Sequence, residues 1–348
     1  MKRVLLCWLI CAFVISSVSV CFANDTEDAR QSRTEQAGIV EDVTGTDYIA
    51  DNYLEERDVY IVNNADSSIS IPKDGGDTII FDSNGTKPIG FALPEEAEIS
   101  RGQLLGNGTV LYDSPKGNVS MGVQALSRTE NGMTYNAVRS LITIMDASAP
   151  HEYSFKFTLP RGYRLVWDYD YDDGQDELDD GTIFIVDEND EVVRTIDPAW
   201  AKDGEGKDIA THYTITGNTL VQHVDFNENT KFPVVADPTE GDTKTSTKYL
   251  TKKQVKKTRD EYAGKPKHEF WDLLMTLVGG RVPELKTAWK LAKFMETNIN
   301  ATSYATWNKI YEKFPKSKNR VKVVTKYRWH HKGAWVATGI AKYSYVTK

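Results

Sequence analysis

Asn107-Gly108-Thr109-Val110-Leu111-Tyr112 sets a tight-turn signal directly against a run of β-branched and aromatic residues. Asn-Gly favours the positive φ of a two-residue hairpin turn, and Thr, Val and Tyr suit a pleated, half-buried surface. The same unit recurs outward from it. Upstream lie Val59-Tyr60-Ile61-Val62 and Thr78-Ile79-Ile80-Phe81, and downstream lie Ser140-Leu141-Ile142-Thr143-Ile144 and Thr182-Ile183-Phe184-Ile185-Val186. Turn signals separate them at Asp74-Gly75-Gly76, Asn84-Gly85, Asn131-Gly132 and Gly217-Asn218. Short strands at this spacing, with no long helical pattern between them, predict an all-β, sandwich-like domain over 58–239. Phe91-Ala92-Leu93-Pro94 followed by Asn107-Gly108-Thr109-Val110 is echoed by Phe157-Thr158-Leu159-Pro160 followed by Asp180-Gly181-Thr182-Ile183. The echo reads either as a duplicated β-unit or as a chance likeness of two hairpins.

The N-terminus has the three regions of a secretory signal. Lys2 and Arg3 supply positive charge, residues 4–20 form an uncharged apolar run, and Cys21-Phe22-Ala23 ends in small residues at the cleavage positions. Cleavage is expected after Ala23. The competing reading is an uncleaved anchor, for which a run of about 17 residues is at the lower limit. All three cysteines (Cys7, Cys11, Cys21) precede the expected cut. The chain beyond it therefore has no disulfide, thiolate nucleophile or cysteine-held zinc. A chain this long can bury enough core without disulfides, and secretion without cysteine points to a Gram-positive exporter. Residues 24–57 are polar and acidic without apolar periodicity, and are expected to be a disordered tail.

The formal net charge of -8 conceals an asymmetry. Residues 24–240 hold 16 Lys and Arg against 42 Asp and Glu, a net of -26. Residues 241–348 hold 24 against 8, a net of +16. A sign change this large marks two modules with different surroundings or partners. The Thr/Lys/Ser-rich stretch over 240–248, following Pro238 and holding Gly241, reads as a linker between them.

Past that stretch the period changes, and a smaller α+β domain is expected over 249–348. Thr251 with Gln254 forms a capping box, with Gly264 as a helix stop. Further helices are expected from His268 to Val278 and from Pro283 to about Asn298. Tyr304, Trp307, Tyr311 and Phe314 then share one helical face, ended by Pro315. The tail turns to period two. Val321, Val323, Thr325, Tyr327 and Trp329 alternate with mostly basic residues, as do Trp335, Ala337, Gly339, Ala341, Tyr343 and Tyr345 after a turn near His331-Lys332-Gly333. That is a hairpin.

Three segments carry a resemblance: Asp197-Pro198-Ala199-Trp200-Ala201-Lys202-Asp203, then residues 213–220, then Phe232-Pro233-Val234-Val235-Ala236-Asp237-Pro238. Together they resemble a module of secreted Gram-positive proteins in which an "xPWAxDxxG" segment precedes a strand and a closing "YPVVADPT". Here Ala199 intervenes between Pro and Trp, and Phe232 stands for Tyr. The resemblance implies a β-rich domain ahead of variable C-terminal modules and carries no catalytic residues. The C-terminal module is similar to bacteriocin-like tails.

Residues that could carry chemistry are few. Asp168, Asp170, Asp172 and Asp173 crowd a glycine turn and invite calcium, which takes six to eight oxygens. The EF-hand spacing fails, because Asp173 intervenes before Gly174 and Asp179 stands where the bidentate Glu belongs. The bland alternative is a solvated acidic loop, and calcium is the one cofactor the residues suggest. His330 and His331, at the hairpin turn, are the candidate general bases of a nuclease-like hydrolase. Neighbours on a strand point to opposite faces, so the two do not readily chelate one ion. His151, His212, His223 and His268 are scattered without metal spacing and read as structural. No GxSxG elbow, P-loop or GxGxxG occurs.

The basic module is the more informative feature. Lys252, Lys253, Lys256, Lys257 and Arg259 crowd one helix, and Lys322, Lys326 and Arg328 crowd the first hairpin strand beside Trp329 and Trp335. Lys and Arg attract anionic polymers, and Trp favours membrane interfaces. The expectation is a secreted, extracellular, non-enzymatic protein. Its basic domain would bind cell-wall polymer or a membrane surface, with an antibacterial effector as one form, while the acidic domain docks against it intramolecularly. Nucleic acid is not expected. The alternatives are an extracellular hydrolase using His330 or His331, and a structural or adhesion protein of the cell surface.

Overall fold

The structure, a computed structural model, describes residues 38–44, 48–130, 133–171, 181–262, 304–330 and 334–348. It is mostly β, built on two open antiparallel sheets. The first runs, in hydrogen-bonded order, β1 (Tyr53–Glu55), β2 (Val59–Asn63), β3 (Ser67–Pro72), β4 (Thr78–Ser83), β5 (Ile89–Ala92), β10 (Glu152–Thr158), β16 (Thr219–Val224) and β15 (Thr211–Thr216). The second runs β11 (Arg164–Trp167), β12 (Ile183–Val186), β13 (Val192–Ile196), β18 (Thr239–Leu250), β9 (Met133–Ile144), β8 (Val119–Glu130), β7 (Thr109–Asp113) and β6 (Gln103–Leu104). β14 (Trp200–Lys202) pairs β17 (Val234–Asp237), and β19 (Arg320–His330) joins β18 to β20 (Ala334–Val346). Three helices complete the described residues: α1 (38–44), α2 (Lys252–Tyr262) and α3 (Tyr304–Glu312).

The two sheets share one core. Val62, Ile69, Phe81, Phe91 and Phe155 of the first meet Val110, Tyr112, Met121, Val138, Ile142 and Ile185 of the second. β4 and β16 alternate buried and more exposed positions, the period-two signature of a sheet with one wet face. β12, β13 and β17 are buried at every position. Their outer face is covered piecemeal: Val40 of α1 packs on Leu141, Val235 and Trp200, and Tyr171 packs on Phe184, Val186 and Val192.

The two copies of the sequence echo lie in corresponding places. Phe91 pairs Phe157 across β5 and β10, with ring centroids 5.5 Å apart. The second halves, Thr109–Val110 and Thr182–Ile183, fall in or beside β7 and β12 of the other sheet. Each is entered through a left-handed glycine, Gly108 at φ +85° and Gly181 at φ +83°.

Two expected boundaries are corrected. The fold reaches upstream of residue 58, into part of the stretch expected to be a disordered tail. Ile39 and Val43, one turn apart, join Val40 in covering the sheet, and Tyr53 donates its phenol to Gly108 O at 2.7 Å while accepting Ala125 N–H at 3.1 Å. The expected linker over 240–248 is strand. β18 is a single 12-residue element whose start pairs β9 and β13 and whose remainder pairs β19. Its threonines at 239, 243, 245 and 247 fall at alternate positions with β-branched side chains, which suit a pleat better than a tether. The signal segment and the helices expected over 268–298 lie outside the described residues.

Candidate functional site

β18 carries the chain out of the β body and becomes the first strand of a three-stranded ladder with β19 and β20. Opposed residues share a face, so the register sorts the ladder's side chains. Leu250, Val321, Val323, Tyr343 and Tyr345 fall on one face and pack with Val255 of α2 and Ile310 and Phe314 around α3. The capping box at the start of α2 forms. Gln254 N–H donates to Thr251 Oγ1 at 3.2 Å, and Thr251 N–H donates to Gln254 Oε1 at 2.8 Å.

The opposite face is cationic. Tyr249, Arg320, Lys322, Lys326 and Lys342 share it, and Lys348 sets its ammonium 3.7 Å over the Tyr249 ring. Lys342 is 71% exposed and Tyr249 38% exposed. Glu191, just before β13, pairs with Lys326 at 3.1 Å and with Lys342. These two lysines hold the Glu191 carboxyl below its ordinary range, Lys342 contributing more. An ion pair therefore joins the acidic body to the basic ladder.

Of the residues expected to bind anions, Lys322 and Lys326 lie on this face, and the others divide three ways. Lys253, Lys256 and Lys257 are exposed on α2. Lys252 and Arg259 lean on their own module. Lys252 lies 5.0 Å and Arg259 4.5 Å over the Tyr311 ring, and Arg259 pairs with Asp260 at 2.5 Å. Arg328, Trp329 and Trp335 are buried, which corrects their assignment to an anion-binding surface. Arg328 lies 5.3 Å over Phe184. Trp329 and Trp335 are cross-strand partners that close on Tyr135, Ala137 and Leu126 of the β body. The tryptophans fasten the ladder to the body and present nothing to a membrane interface.

Beneath this seam lies a polar network with no sequence motif. Lys244 Nζ reaches Asp66 Oδ2 at 2.5 Å and Asp242 Oδ2 at 2.6 Å. Asn136 donates through Nδ2 to Asp66 Oδ1 at 2.9 Å and to Asp242 Oδ2 at 3.1 Å. Glu240, two positions before Asp242, faces the buried Arg194 at 3.7 Å. Burial raises both acids, with Lys244 and Arg194 pulling the other way. The alternation of Glu240, Asp242 and Lys244 is the one sequence sign of this network, a charged strand face that only buried partners can satisfy.

The resembling segments are structural. Trp200 to Lys202 and Val235 to Asp237 are antiparallel partners. Asp203 Oδ1 accepts the Glu205 and Lys207 backbone N–H groups at 3.0 and 2.9 Å, and Gly206 takes φ +78°. The Asp and the Gly of the motif, Asp203 and Gly206, thus shape one turn.

Asp168 is buried, with Oδ1 accepting Tyr169 N–H at 2.9 Å, and Asp170 is exposed. Asp172, Asp173 and His331 lie outside the described residues, and His330 ends β19 opposite Ala334. Among the described residues no group of three or more His, Cys, Asp or Glu could hold a metal ion, and no helix is long and apolar enough to cross a membrane. The structure does unite two histidines that looked scattered. His212 and His223 are cross-strand partners beside Glu152.

Comparison with protein-family models, with characterised proteins and with solved structures finds no match to this chain.

Proposed function

We propose that this chain is a secreted, non-enzymatic protein of a Gram-positive envelope, exported by residues 1–23. In this reading an acidic, sandwich-like β body carries a basic α+β module that binds an anionic envelope surface. The supporting observation is the disposition of charge. The exposed lysines of α2 and the cationic ladder face belong to the same module, and the net charge of the body has the opposite sign. The buried tryptophans make the contact ionic rather than insertional. The Glu191 pair with Lys326 and Lys342 is then the point where body and anionic surface compete for the same cations. An antibacterial role fits such an arrangement if the target surface belongs to another cell.

The chain from Asn24 serves as the test protein, because cutting within 240–248 would split β18. It is expected to bind vesicles rich in anionic phospholipid, or purified wall, with affinity falling steeply as salt rises. Reversing Lys253, Lys256 and Lys257 to Glu should weaken binding about 100-fold or more, at roughly 1 kcal/mol per cation near such a surface. Equal binding to zwitterionic vesicles, or a triple variant that binds unchanged, ends this reading. Glu191→Gln should strengthen binding several-fold by releasing two lysines, read in the same assay.

A further inference from the structure

We propose that His212 and His223 form a binding site for a divalent transition metal of the zinc and copper class, with Glu152 holding His223 in position. This site lies in the acidic body and is independent of the cationic module.

The hairpin that makes it is short. β15 and β16 are joined through Gly217 and Asn218, with Thr216 paired to Thr219, and the register runs unbroken from there to His212 opposite His223. Directly opposed residues on an antiparallel pair share a face, their Cβ atoms about 4.5–5.5 Å apart. Inward positions on the same strands hold Tyr213, Leu220 and Val224, so the histidines stand on the outer face. His212 is exposed, and His223 keeps 27% of its side chain in solvent. The imidazole rings lie parallel, with centroids 4.6 Å apart and planes at 7°.

β10 flanks β16 on the other side and sets Glu152 opposite His223. Glu152 Oε1 lies 3.3 Å from His223 Nδ1, and Thr214 Oγ1 lies 2.9 Å from His223 Nε2. A carboxylate on one ring nitrogen fixes the tautomer and leaves the other nitrogen as donor, the usual second shell of a metal-ligating histidine. Glu152 is thereby engaged as a positioning group, and the two imidazoles are the ligands. Imidazole pairs suit zinc, copper and nickel. Metal–nitrogen bonds of about 2 Å require the ring edges to close by on the order of 1 Å, a tilt available to the exposed His212, with Thr214 giving way. Solvent completes the coordination. His330 and His331 lie outside this hairpin and serve as the control pair.

The test titrates the chain from Asn24 with Cu2+ and with Zn2+, by calorimetry and by electron paramagnetic resonance of the copper form. One ion per chain is expected, with nitrogen hyperfine coupling from two imidazoles. His212→Gln and His223→Gln should each abolish that site. Glu152→Gln should weaken it about tenfold, and His330→Gln/His331→Gln should leave it intact. Glu152 and His212 are exposed and His223 is partly so, and circular dichroism should confirm unchanged folding of every variant. Absence of a one-to-one site, or a site that survives both single histidine substitutions, overturns the proposal.

Discussion

Gly241→Ala is expected to destabilise the protein by about 3 kcal/mol or more and to loosen the C-terminal ladder from the body. Gly241 sits in β18 opposite Ala137, and Tyr135 lies over it. A Cβ at this position would stand 2.6 Å from Tyr135 Cζ and closer still to the hydroxyl. No left-handed backbone is involved, so the cost is purely steric. Tyr135 cannot retreat, because Trp329 and Trp335 close over it with ring centroids at 6.0 and 6.3 Å. The added methyl must therefore push the phenol into the tryptophan pair that fastens the two parts of the molecule. Thermal unfolding and tryptophan emission read the effect. Tyr135→Leu removes the obstacle, so the double variant should be less destabilised than the sum of the singles. An alanine variant with an unchanged midpoint would show that the ladder is not held at this point.

Much of this fold could be read from local chemistry. The Asn107-Gly108 turn, the capping box at Thr251 and the period-two tail each specify a backbone conformation within a few residues, and each appears where expected. The strand at 239–250 was obscured because Pro238, Gly241 and a Thr/Ser/Lys composition are also what linkers are made of. The alternating threonines carried the opposite message, and burial between β9 and β13 decides between the two. Exposure was the harder quantity. A basic strand studded with tryptophan reads equally as a binding face and as an amphipathic seam. Only the partner surface, Tyr135 with Ala137 and Leu126, distinguishes them, and it lies nearly 200 residues away in sequence.

The histidine pair shows a different limit. His212 and His223 are equidistant from the Gly217-Asn218 turn, so counting back from that turn gives their pairing. Metal motifs are ordinarily sought as fixed spacings along one element, and a cross-strand pair has none. Its neighbour Glu152 comes from a strand some 70 residues away, which no local pattern predicts. The buried acids of β18 fall between these cases. Their alternation is visible in the sequence, but their pairing with Arg194 and Asp66 depends on how the two sheets meet.

Stability should fall as pH rises from about 4.5 to 7 and level off above, the reverse of ordinary acid denaturation, and Asp237 should be the main cause. Its carboxyl is buried between β14 and the core. Oδ2 accepts the Thr239 hydroxyl at 2.5 Å, and Oδ1 has no hydrogen-bond partner. Burial pushes the group up to about 7, against smaller opposing pulls from Thr239, Arg139 and Trp200. An unfolded aspartate titrates near 3.9. Between these values the folded chain keeps a proton that the unfolded chain has lost, so stability declines across the interval and levels off above it. The shift corresponds to roughly 4 kcal/mol. Glu240, raised to about 7 by burial despite Arg194, acts in the same direction. Glu188, Glu191 and Asp146 are shifted down, so they act below the ordinary carboxylate range and leave this interval alone. The unfolding midpoint should drop by several degrees between about pH 4.5 and 7. Asp237→Asn should remove about half of that slope and Glu240→Gln much of the rest. Protons concentrate beside a negatively charged surface, so these acids would make the fold firmest where the basic module is proposed to work. A midpoint independent of pH, or an unaltered slope in the double variant, would refute the assignment.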